Sequence, residues 1–78
     1  MKKLTQDVFI GAPDWVKSAG VDVDGSVYWN SESSNYIREL VKKEVLIAES
    51  VDVEQAGYGF YYDVFSDSIP LIDREVAK

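Results

Sequence analysis

Ser18-Ala19-Gly20-Val21-Asp22-Val23-Asp24-Gly25-Ser26-Val27-Tyr28-Trp29-Asn30 is the stretch that decides the fold. Two runs with β character flank an Asp-x-Asp-Gly turn, the signature of a β-hairpin. Its register follows from sidedness. A two-residue turn at Asp24-Gly25 pairs Val21 with Tyr28 and mixes polar and apolar side chains on both faces. A three-residue loop, Val23-Asp24-Gly25, pairs Asp22 with Ser26, Val21 with Val27 and Ala19 with Trp29, which gives one apolar face. The turn chemistry agrees. Asp22 suits the first position of a type I turn, Asp24 supports it, and Gly25 accepts the left-handed conformation of the bulge. Val21 and Val27 are therefore expected in the core and Ser26 outside it.

Working outward, Pro13 can begin a short helical turn carrying Asp14 and Trp15. After the polar loop Ser31–Asn35, Tyr36, Ile37, Leu40, Val41 and Val45 recur at helical spacing, opposite Arg38, Glu39, Lys42 and Lys43. The spacing predicts a helix over 34–43. The β-like composition of Val45-Leu46-Ile47-Ala48 predicts a strand over 45–50, residues 52–57 read as a loop, and the aromatic run predicts a strand over 58–65. In that strand Tyr58, Phe60, Tyr62 and Val64 share one face. Ile69-Pro70-Leu71-Ile72 packs back or forms an edge. The expected fold class is α+β, an antiparallel sheet of about four strands with one helix packed on it. The 78 residues, 46% hydrophobic and 28% charged, suit one domain over 1–78.

Charge is unevenly spread. Over residues 1–43 acids and bases balance, whereas residues 44–73 carry Glu44, Glu49, Asp52, Glu54, Asp63, Asp67 and Asp73 with no Lys or Arg, and the net charge is −6. Such a chain is repelled by phosphate backbones, so no direct nucleic-acid binding is expected; it is attracted to basic surfaces, including those that hold nucleic acid. The apolar runs are too short to span a membrane, and Gln6 and Asp7 interrupt any signal-like start. A cytoplasmic location is the expectation.

Gly11-Ala12-Pro13-Asp14-Trp15, then Val21-Asp22-Val23-Asp24-Gly25 and the aromatic pair Tyr28-Trp29, resembles a pattern of small, mostly uncharacterised tailed-bacteriophage proteins. Those carry a Pro-x-Trp entry, a Val-Asp-x-Asp-Gly hairpin and an aromatic pair; the Pro that follows the pair there is missing here. The likeness spans residues 11–29. It implies a phage source, hence the host cytoplasm, and the habit of small phage proteins of binding and disabling a host protein.

Most chemistry is excluded. Without Cys or His there is no thiol nucleophile, zinc ribbon or ordinary neutral-pH base. An EF-hand frame with Gly25 in its glycine position places Gly20 and Ser31 where Asp and Glu are required, so Asp22, Asp24 and Gly25 read as a structural turn and no metal is expected. A carboxylate pair needs a cleft that separates two pKa values, and no phosphate-cradling glycine loop is present. No enzyme activity and no cofactor are expected. Tyr58, Tyr61, Tyr62 and Phe65 lack the basic neighbours of a base-stacking platform.

The expected function is therefore binding. An acidic face over 44–73 engages a protein with a basic surface, with Glu49, Asp52, Glu54 and Asp63 as charges and Tyr61, Phe65 and Tyr28 as aromatic anchors. Asp52 and Glu54, if extended, lie about 6.7 Å apart, close to the phosphate spacing along a strand, which suits mimicry of a nucleic-acid backbone. Glu32 and Glu39, in the balanced half, are expected outside this face. The alternative is a non-catalytic assembly module, such as a minor virion or dimerising subunit. A monomer or weak homodimer is expected.

Overall fold

The structure, a computed structural model, describes residues 2–62 and 69–75. Strands β1 (Ser18–Val21) and β2 (Val27–Asn30) form the hairpin, and helix α1 (Ser34–Lys42) follows. A short helix α2 (Ile47–Ser50) leads into β3 (Val53–Gly57), and β4 (Leu71–Asp73) completes an antiparallel sheet of order β3-β2-β1-β4. The α+β class and four-stranded antiparallel sheet stand as expected.

The hairpin takes the predicted register. Val21 faces Val27 and Ala19 faces Trp29. Gly25 N donates to Asp22 O at 2.9 Å, Asp22 N donates to Ser26 O at 2.8 Å, and Gly25 has φ +86°. Asp24 Oδ1 accepts from Ser26 N at 2.9 Å, and this bond holds the Asp24 carboxyl below its usual range. Glycine is needed twice over here. An added Cβ would meet Phe60 O at 3.0 Å, and Phe60 N donates to Gly25 O, so the loop after β3 is tied to the hairpin tip. Ser26 departs from expectation: it is buried, and its hydroxyl accepts from Gln55 Nε2.

Both sides of the sheet are covered. On one, Ala19, Val21 and Val27 pack with Phe9 and Val16 as the buried core, joined by Leu4, Val8, Trp29, Phe60, Tyr62 and Ile72. The N-terminal segment makes this cover through a 3-10 turn at Gln6–Phe9, and Val8 O accepts from Trp29 Nε1 at 3.0 Å. The Pro13 segment closes a single turn, Val16 N to Pro13 O, and continues without a helix into β1. Arg74, just past β4, donates to the carbonyls of Pro13, Val16 and Ala12, pinning this cover to the far edge of the sheet.

On the other side lies α1, with Ile37 and Leu40 buried. Ser33 caps it, accepting from Tyr36 N. Its C-terminus is a Schellman motif: Val45 N donates to Leu40 O and Glu44 N to Val41 O. Glu44 fills the left-handed position at φ 59°.

Three sequence expectations fail. Residues 45–50 form no strand; Ile47–Ser50 is one helical turn, because the chain must reverse between α1 and β3. Residues 52–57 are no loop, since β3 pairs along β2 with a bulge at its Gly57 end. Tyr58–Tyr62 is no strand: Gly59 at φ +81° breaks the extension, and only Phe60 bridges, in parallel, to Lys2. Residues 63–65 of that predicted strand, and Val64 with them, lie outside the described residues. Among the described residues no helix is long and apolar enough to cross a membrane.

Candidate functional site

Glu49 and Asp52 come together where β2 runs out and β3 begins, and Glu54 follows on β3. Ser31 N donates to Asp52 O at 3.0 Å and Ser31 Oγ accepts from Asp52 N at 3.0 Å, which extends the β2–β3 ladder one step beyond Asn30 and Val53. Asp52 is therefore extended. It lies on the same side of the edge as Glu54, the register partner of Trp29, at about 6.7 Å along the strand. Glu49, exposed on α2, shares a groove of about 350 Å³ with Asp52, Glu32 and Tyr36.

Glu32 is a correction. Sequence position put it in the balanced half, yet the β2–β3 ladder carries it into the acidic groove. Tyr36, exposed on the first turn of α1, belongs to the helical stripe by its spacing and also stands beside the acids. The signal for both was the polar loop after Trp29: whatever strand pairs with β2 meets that loop. The one ion pair among the described residues, Lys42 Nζ to Glu39 Oε1 at 3.7 Å, lies elsewhere, on exposed α1 positions. The groove carboxylates are spread rather than convergent, and among the described residues no three His, Cys, Asp or Glu gather as a metal site.

The aromatic anchors do not join this surface as one patch. Tyr61 is half exposed, but its amide donates to Lys2 O beside Phe60, at the hairpin-tip end of the sheet. Asp52 sits past the opposite end of β2, about 13 Å along the strand direction. Tyr28 is partly buried on the helix side, where it lines a cavity of about 430 Å³ with Val41, Ile47, Ala48, Val53 and Ile69. Asp63 and Phe65 lie outside the described residues. Asp22, Asp24 and Gly25 form the turn described above.

Chemically, the acidic groove offers carboxylates that form no ion pair among the described residues and one exposed phenol, and so suits Lys and Arg side chains. Compared with protein-family models, characterised proteins and solved structures, the chain matches none.

Proposed function

We propose that this chain is a protein-binding module whose acidic edge, Glu32, Glu49, Asp52 and Glu54, engages a basic surface of a protein partner and modulates it. The observation that carries the reading is that carboxylates from three separate segments, Glu32 of the loop after β2, Glu49 of α2 and Asp52 at the lead into β3, line one groove with no Lys or Arg among its described lining residues, and Glu54 continues them along the strand. Attraction of this kind raises the association rate and selects partners by charge. The strand-spaced pair Asp52 and Glu54 favours a partner surface that otherwise takes a nucleic-acid backbone, so competition is the mode of modulation. The hairpin resemblance adds a phage source and a host partner to the proposal.

Capture from a bacterial lysate tests it, with tagged wild type set against two variants. E49Q/D52N/E54Q removes two charges from the groove and the third, Glu54, from the strand beside it; D14N/E75Q removes charge from exposed positions beyond the opposite edge. The reading expects one basic protein held by wild type and by D14N/E75Q, released by salt and lost from E49Q/D52N/E54Q. Equal capture by all three overturns it.

A further inference from the structure

β3 is an outer strand, and its backbone is oriented for a neighbour. Ser31 N donates to Asp52 O, so by antiparallel alternation Asp52 and Glu54 turn their backbone groups toward β2. Val53 and Gln55 then direct their N–H and C=O outward. Among the described residues nothing pairs with that edge. Lys and Pro, the usual edge blockers, are missing from Val53-Glu54-Gln55-Ala56-Gly57.

The two sides of this edge differ. Asp52 and Glu54 stand on one side. Val53, on the other, belongs to the wall of the apolar cavity with Tyr28, Val41 and Ile47. An added strand alternates its side chains in the same way. Residues beside Asp52 and Glu54 gain from being Lys or Arg, and those beside Val53 gain from being apolar. A second copy of this chain is a poor fit, because antiparallel pairing of two β3 strands centred on Val53 sets Asp52 of each copy against Glu54 of the other.

We infer that the outer edge of β3 accepts an extended segment of the partner in which basic and apolar residues alternate, adding a fifth strand to the sheet. The inference rests on the acidic-edge reading and specifies how the partner is held.

A blocked five-residue peptide of alternating Lys and Val is the probe, with the Glu/Val counterpart as control and amide hydrogen exchange as the readout. Saturating Lys/Val peptide should slow exchange at the outward amides of Val53 and Gln55 at least tenfold; the Glu/Val peptide should not. Val53→Pro removes an outward donor without breaking the β2 ladder, so this variant should stay folded and bind the peptide at least tenfold more weakly. Should Val53→Pro unfold, the exchange result on the wild type decides alone. No peptide binding, binding without slowed exchange at Val53 and Gln55, or slowed exchange there from self-association without peptide overturns the inference. Loss of lysate capture by E49Q/D52N/E54Q together with no protection at Val53 and Gln55 would retain the acidic edge and remove the added strand.

Discussion

Asp73, the last residue of β4, holds Ser34, the first residue of α1, by two bonds of 2.7 Å: Oδ1 accepts from Ser34 N and Oδ2 from Ser34 Oγ. A strand thus supplies an acceptor to an orphan amide of a helix 39 residues earlier in the chain. The bond from the Ser34 amide, then that from its hydroxyl, lowers the Asp73 pKa from the ordinary 3.8. Because the folded pKa is the lower one, the stabilisation is complete above pH 3.8 and is lost as pH falls through the folded value. Asp73→Asn should cost about 1 kcal/mol at neutral pH, and should flatten the loss of stability between pH 5 and pH 2. Urea melts of both proteins across that range check it; parallel curves contradict the cap.

The hairpin tip should fail on one methyl group. Gly25→Ala demands a left-handed Ala and pushes its Cβ to 3.0 Å from Phe60 O. A loss of about 1–2 kcal/mol is expected, read as a lower urea midpoint with an unchanged slope.

Glu44 should improve on becoming glycine. It occupies the left-handed position of the Schellman motif at φ 59°, where an L side chain is strained. Relief of that strain exceeds the added freedom of the unfolded chain, so Glu44→Gly should stabilise by up to about 1 kcal/mol. A lower thermal midpoint would place the strain elsewhere.

The sidedness of the hairpin predicts opposite outcomes for neighbouring valines. Val27 is fully buried between strands, whereas Val23 in the loop is 67% exposed. Val27→Asp should cost at least about 4 kcal/mol, enough to unfold a small domain, while Val23→Asp should stay within about 0.5 kcal/mol. Circular dichroism at 25 °C separates the two.

The sequence was most legible where structure is local. The turn at Asp22–Gly25 carries its own chemistry, so the register of Val21 against Val27 followed from five residues. The helix read correctly because Tyr36, Ile37, Leu40 and Val41 keep one period. Val53-Glu54-Gln55-Ala56-Gly57 has little intrinsic strand preference; it is a strand because β2 offers it a ladder, and a ladder is tertiary information. The aromatic run failed the other way. Tyr58 has strand composition, yet Gly57 and Gly59 flank it, and it stands 76% exposed. The acidic surface was half legible. The two-residue spacing of Asp52 and Glu54 is visible in the chain itself, but Glu32 and Tyr36 reach the groove only through β2–β3 pairing and the placement of α1.

The most direct test of the acidic edge is the association rate of the captured partner as a function of salt. Raising ionic strength from 0.01 to 0.15 M shortens the Debye length from about 30 to about 8 Å. The account predicts that the wild-type rate constant falls at least tenfold over that range, that E49Q/D52N/E54Q starts lower and changes little, and that D14N/E75Q follows the wild type. A wild-type rate indifferent to salt, or an E49Q/D52N/E54Q variant that associates as fast as wild type, would contradict it.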